Sequence, residues 1–165
     1  MASTTFSAQN ALPQEENHVR ELYQRLLDSW NQRDGHAFAI LFEVKGHLIG
    51  YDGSQINGRT AIQKELDCIF YNHIPAVYVA KVREVRFPTP DTAILRAVAG
   101  MVPRGQTEIN SGINAMQTLV AVKRDSGWQI ALFQNTPVQF HDRQPDLAQQ
   151  ITEELSLVLK DSKIL

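Results

Sequence analysis

Gln134, Asn135 and Thr136 close the segment "GWQIALFQNTP" (residues 127–137) with two amides and a hydroxyl. Upstream of them Trp128, Ile130 and Leu132 are spaced by two, the pattern of a strand with one buried face, and Gln134 is next in phase. A polar side chain turned inward costs free energy unless a neighbouring strand, the backbone, ordered water or a ligand hydrogen-bonds it. The preceding segment, "INAMQTLVAVKR" (113–124), is joined to this one by "DSG", which reads as a three-residue hairpin loop with glycine in the left-handed position. That loop sets Arg124 opposite Trp128, Val122 opposite Ile130, Val120 opposite Leu132 and Thr118 opposite Gln134. Asn114, Thr118 and Gln134 then share one face, with Gln117 and Asn135 on the other. The three either orient a carbonyl or hydroxyl of a ligand or satisfy each other across the hairpin.

Acid–base chemistry needs a titratable group on a pocket wall. His73 is the best-placed histidine, since imidazole titrates at about 6.5 without help. Its position at a helix end also suits capping of the last carbonyls. Asp52 is either a pocket carboxylate or the residue that makes the Asp52-Gly53 turn. Tyr51 alternates with Ile49 and offers a phenol, or packs as a core aromatic. Trp30 continues an apolar helix stripe and either joins the core or roofs a pocket. His18, His36 and His47 show no metal-ligand spacing, so no metal site is expected. The single cysteine, Cys68, excludes an internal disulfide and reads as packing.

These residues must be positioned by helices that come first and strands that follow. Residues 1–13 read as a disordered leader, with a helix start at Pro13, Glu15 and Glu16. Val19, Leu22, Tyr23, Leu26, Leu27 and Trp30 then keep helical spacing. A short second helix is expected through "HAFAILFE", a strand through "GHLIGYDG", and a third helix from Arg59 to about His73, ended by Pro75. Its stripe is Ile62, Leu66, Ile69 and Phe70, with His73 on the same side. "AVYVAKVREVRF" and "TAILRAVAGMV" add two strands before the final hairpin. A last helix carries Leu147, Ile151, Leu155 and Leu159 on one face. The expected class is α+β, a curved antiparallel sheet with helices on one face. The main domain spans 14–140, with a C-terminal helical extension at 141–165.

The whole chain of 165 residues, 43% hydrophobic and 21% charged with net charge −2, has the composition of one soluble globular domain. Nothing in that balance favours nucleic acid or an anionic membrane as partner, and no apolar run approaches the ~20 residues of a membrane span. The first residues do not read as a signal peptide, and a cytoplasmic location is the expectation. Outward apolar positions in "VYV" (77–79) and "LVAV" (119–122) predict a homodimer formed through the sheet.

The order of elements, with "YDGSQINGRTAI" and then "QTLVAVKRDSGWQIALFQNTP", resembles the SnoaL-like proteins of the nuclear-transport-factor-2-like superfamily. The nearest likeness is to the branch named SgcJ/EcaC-type oxidoreductases, over residues 15–138. The resemblance implies a cystatin-like cone, a bent sheet wrapped around three helices with a small-molecule pocket at its wide end. It implies no cofactor. One departure stands out: the branch often carries a histidine on the third helix, four residues after the position of Ile62, and here that residue is Leu66. The expected activity is binding of an organic small molecule, with acid–base isomerase, cyclase or dehydratase chemistry on a carbonyl compound. The alternative is a non-catalytic ligand-binding or dimerisation module.

Overall fold

The computed structural model describes residues 5–140, 145–162 and 164. Helix α1 (Thr5–Asn31) buries Val19, Leu22, Tyr23, Leu26 and Leu27, the stripe its spacing predicts. The helix begins at Thr5, so Pro13 lies within it and residues 5–12 are helical backbone. Disorder was expected there; residues 1–4 of that leader lie outside the described residues. A short helix α2 (Gly35–Ala39) is capped by Asp34, whose carboxylate accepts from Ala37 N at 2.8 Å. It stops sooner than "HAFAILFE" suggests, because Leu41 O accepts from Ile130 N at 2.8 Å and draws the chain into the sheet. Strand β1 (Phe42–Ile49) therefore starts early, and β2 (Gln55–Asn57) folds back on it around the turn at Tyr51-Asp52-Gly53. Helix α3 (Arg59–Asn72) ends at His73, which is already extended, two residues before Pro75.

Four long strands follow: β3 (Val77–Thr89), β4 (Thr92–Val102), β5 (Ala115–Arg124) and β6 (Gly127–Pro137). They join β1 and β2 in one sheet of order β2-β1-β6-β5-β4-β3, antiparallel except for the β1–β6 pair. The concave face packs Leu95, Ala97, Leu119, Ala121, Ile130 and Phe133 against the three helices. This is the expected α+β cone, with its sheet bent by bulges.

Helix α4 (Pro145–Asp161) lies on the convex face. Ile151, Leu155 and Leu159 form a second core with Val77, Val79, Val98 and Val102. Val77 and Val79 were expected to serve a dimer, but α4 covers them. The convex side of β5 and β6, with Val120, Val122 and Leu132 only half-buried, is left open. No helix among the described residues is long and apolar enough to cross a membrane.

The β5–β6 hairpin differs from its expected register at the turn. Arg124 pairs with Gly127, whose φ of 103° is the left-handed conformation that glycine adopts without strain, so the loop is the two residues Asp125 and Ser126. Val122 then faces Gln129 rather than Ile130. One extra residue on β6, Ala131, restores the expected pairs Val120–Leu132 and Thr118–Gln134. Such a bulge reverses the in–out phase of the strand beyond it. Trp128 and Ile130 face the concave side, and so do Phe133 and Asn135, while Leu132 and Gln134 turn outward.

Candidate functional site

A cavity of about 370 Å³ opens between α1, α3 and the concave face of the sheet. Its walls are mainly apolar, from Leu26, Leu27, Trp30, Phe38, Leu66 and Phe133, and its mouth is formed by Gly50-Tyr51-Asp52, Ser54 and Glu65. The inner polar surface comes from Tyr78 and Asn135. This balance, an apolar volume with few convergent polar groups, is that of a small-molecule site.

A chain of four side chains runs from the core to this pocket. Tyr23 Oη donates to Gln117 Oε1 at 2.5 Å, and Gln117 Nε2 donates to Asn135 Oδ1 at 3.3 Å. Asn135 Nδ2 in turn donates to Tyr78 Oη at 2.9 Å. Gln117 and Asn135 meet because they are direct partners across β5 and β6, and both are buried. Their amides thus find partners within the protein, as buried amides must. Burial holds the Tyr78 phenol neutral, with its pKa pushed up to about 12 despite the Asn135 hydrogen bond that favours its ionised form. Burial also pushes the Tyr23 phenol up.

Trp30 backs the Tyr78 ring. The Trp30 ring packs against it at 5.4 Å between centroids, and Trp30 Nε1 donates to Ala76 O at 2.9 Å. Trp30 packs against the core and lines the cavity. Tyr51 is half-buried at the mouth and also lines the pocket. Asp52 lines the mouth too, but its Oδ1 accepts from Ser54 Oγ at 2.6 Å and from Ser54 N at 2.9 Å. Those bonds hold its carboxyl below the usual range. Asp52 is a turn-forming, ionised carboxylate and not a buried acid with a raised pKa.

The other expected site residues lie elsewhere. His73 is exposed beyond the end of α3 and does not line the cavity; its backbone N–H bonds to Ile69 O at 2.8 Å. Asn114 is buried on the convex side, where Nδ2 donates to Thr152 Oγ1 of α4 at 2.8 Å. Thr118 and Gln134 face each other in register as expected, yet Gln134 is exposed on the convex face and neither reaches the pocket. The inner polar residues of the cavity, Tyr78 and Asn135, are not among the expected site residues. The signal for them was the Gln117–Asn135 pair, visible in the hairpin but placed on the wrong face because the bulge at Ala131 leaves no mark in the sequence.

Comparison with solved structures identifies the fold. A domain of unknown function with a cystatin-like fold from Nostoc punctiforme is 27% identical and superposes with a TM-score of 0.73, over 90% of this chain and 98% of its own. A nuclear-transport-factor-2-like protein with a cystatin-like fold from Novosphingobium aromaticivorans follows at 16% identity and a TM-score of 0.68, over 90% and 96%. A ketosteroid isomerase-like protein from Erwinia carotovora atroseptica is 14% identical, with a TM-score of 0.62, over 73% of this chain and 94% of its own. No protein-family model and no curated protein matches the chain. The architecture is the cystatin-like cone of nuclear-transport-factor-2-like proteins, and one such scaffold hosts many functions.

Proposed function

We propose that the protein binds a small, largely apolar molecule with one hydrogen-bond acceptor, a carbonyl above all, and that Tyr78 donates to that acceptor. The observation that carries this reading is the state of the Tyr78 hydroxyl. It accepts from Asn135, lies on the cavity wall, and its own proton has no acceptor among the described residues. Leu66 supports the same reading. The SgcJ/EcaC branch, which we retain as the nearest likeness, often has histidine there, and here the position adds apolar wall. The ligand is neutral or cationic, since the lining includes two carboxylates, Asp52 and Glu65, and no lysine or arginine.

A second reading, turnover of a carbonyl compound by acid–base chemistry, is favoured by Glu65. This carboxylate lines the cavity and makes no hydrogen bond or ion pair among the described residues. A carbonyl polarised by Tyr78 has more acidic α-protons, and Glu65 is the group free to accept one.

The test pairs 2-acetylnaphthalene with 2-isopropenylnaphthalene, in which C=CH₂ replaces C=O at nearly constant shape. The ketone should bind at least tenfold more tightly by calorimetry, and Tyr78→Phe should erase the difference. Equal affinities would overturn the binding reading. Exchange of the ketone methyl protons in D₂O, accelerated by the protein and lost in Glu65→Gln, would support turnover; no acceleration would remove it. The protein is also proposed to act as a homodimer through the open convex side of β5 and β6, in a cytoplasmic setting.

A further inference from the structure

The direction of the hydrogen-bond chain is set at its inner end. Tyr23 is 2% exposed, and the oxygen of Gln117, itself 1% exposed, is the acceptor its hydroxyl finds among the described residues. A hydroxyl proton buried there without an acceptor would carry the full desolvation cost of an unmade bond. Tyr23 must therefore donate, which turns Gln117 Oε1 towards α1 and leaves Gln117 Nε2 towards Asn135. Asn135 must then present Oδ1 to Gln117 and Nδ2 to Tyr78. Each amide has one oxygen and one nitrogen end, so a choice made at Tyr23 is passed unchanged to the pocket.

We propose that Tyr23 and Gln117 are positioning residues that aim the Tyr78 hydroxyl proton into the pocket, making the site a selective receptor for hydrogen-bond acceptors. With the chain reversed, Tyr78 would spend its proton on Asn135 and meet a ligand with lone pairs only. The same pocket shape would then favour a donor ligand over an acceptor. The inference deepens the carbonyl-binding reading and rests on it for the nature of the ligand. The direction of the chain can be tested without any ligand.

The decisive variant is Gln117→Glu, which keeps size and shape but, when ionised, offers oxygens on both sides. The introduced carboxylate accepts from Tyr23 and from Asn135 Nδ2, which turns Asn135 Oδ1 towards Tyr78 and draws the phenol proton inward. The preference for 2-acetylnaphthalene over its C=CH₂ analogue should fall at least fivefold in this variant. It should return as pH is lowered and the introduced carboxyl protonates, because a protonated carboxyl again donates to Asn135 Oδ1. A merely structural role for Gln117 would lower both affinities together with no such pH recovery, and that result would overturn the proposal.

Should the buried charge prevent folding, Tyr78→Phe read by side-chain amide NMR on the ligand-free protein decides the same question. With the proposed direction, this change removes the acceptor of Asn135 Nδ2–H and shifts the Asn135 amide protons while those of Gln117 stay in place. An unmoved Asn135 amide would mean that its N–H groups face Gln117, and the direction would be wrong. A moved Asn135 amide together with no ketone preference would uphold the direction and discard the carbonyl as ligand. A ketone preference that survives Gln117→Glu at all pH values would do the reverse.

Discussion

Asn31 holds Tyr78 by both hydrogen-bonding groups of its backbone. Asn31 Oδ1 accepts from Tyr78 N at 2.8 Å, and Asn31 Nδ2 donates to Tyr78 O at 3.1 Å. Strand β3 is the edge of the sheet, so on its outer side the backbone has no neighbouring strand. One amide at the end of α1 takes the place of that strand where the pocket tyrosine leaves the backbone. Asn31→Ala should lower stability by about 1–3 kcal/mol, the cost of leaving such groups unpaired when partly buried. It should also weaken ketone binding. Asn31→Asp keeps the acceptor and loses the donor, so its denaturation midpoint should fall between those of wild type and alanine. Equal midpoints for all three would show that the edge does not need Asn31.

The opposite behaviour of two adjacent residues tests the bulge in β6. Gln134 is exposed on the convex face, so Gln134→Leu should change stability by no more than about 0.5 kcal/mol and leave ligand binding intact. Asn135→Leu removes both the acceptor of Gln117 and the donor to Tyr78, and should cost about 1–3 kcal/mol by urea denaturation. If Gln134→Leu were the damaging change, the strand would run without its bulge at Ala131.

That pair also marks where the sequence stops being readable. Helical spacing in α1 and α3 reports burial directly, because each residue's face follows from its number along one helix. Thr118 stands opposite Gln134 only because the two-residue loop and the extra residue Ala131 offset each other, while the Asp52-Gly53 turn was directly readable. The inside and outside of β6 were not. A single inserted residue reverses every later side chain, and Ala131 carries no turn chemistry that would announce it. Tyr78 was hidden differently: in "VYV" its neighbours Val77 and Val79 looked like a surface stripe, until α4 covered one side and the phenol emerged on the other.

Docking of α4 depends on a missing side chain. A Cβ on Gly100 would sit 2.9 Å from Leu155 Cδ1, 3.0 Å from Ile109 Cγ2 and 3.2 Å from Asn114 Oδ1. Gly100→Ala should thus lower the melting temperature by several degrees, in line with an overpacking cost of about 1–3 kcal/mol. Removal of the chain from Pro145 onward should lower it further. An unchanged melting temperature in both would mean that α4 contributes nothing to the folded state.

The same helix gives an acid-sensitive contact. Burial raises the Glu154 carboxyl, but hydrogen bonds from Lys81 and Arg83 outweigh it and hold the pKa below the usual value. A depressed carboxylate pKa stabilises the fold above the unfolded value, and that contribution is lost as pH falls through the folded one. Glu154→Gln should therefore flatten the acid limb of the stability curve below about pH 4.5, with a loss under about 1 kcal/mol at neutral pH because both cations are partly exposed. Matching acid limbs in the two proteins would remove Glu154 from the account.

Oligomeric state tests the open convex face. Val120, Val122 and Leu132 lie there half-buried, and Met116 is 38% exposed beside them. If this surface pairs two copies, Val120→Lys should convert a dimer to a monomer in sedimentation velocity at micromolar concentration, with ketone binding preserved. A wild-type protein that sediments as a monomer at that concentration would exclude the dimer.

The alkaline limb reports on the pocket itself. Tyr78 has a folded pKa of about 12 against 10.0 for a free phenol, so the folded state retains a proton that the unfolded chain releases. A pKa raised by folding gives stability that is complete below the unfolded value and is lost as pH rises through the folded one. Stability should accordingly decline between about pH 10 and 12. Tyr23, raised in the same direction by burial, extends the decline upward. In Tyr78→Phe the curve should be shallower over that interval, because a phenol that keeps its proton on folding is gone, and Tyr23→Phe should make it shallower too, from about pH 10 upward. Urea midpoints collected at half-unit steps from pH 9 to 12 in the wild type and in each single variant would measure the two contributions. If Tyr78→Phe leaves the slope untouched, the phenol ionises as freely in the folded protein as in water. The pocket would then not be the water-poor site in which one hydroxyl proton can select a ligand.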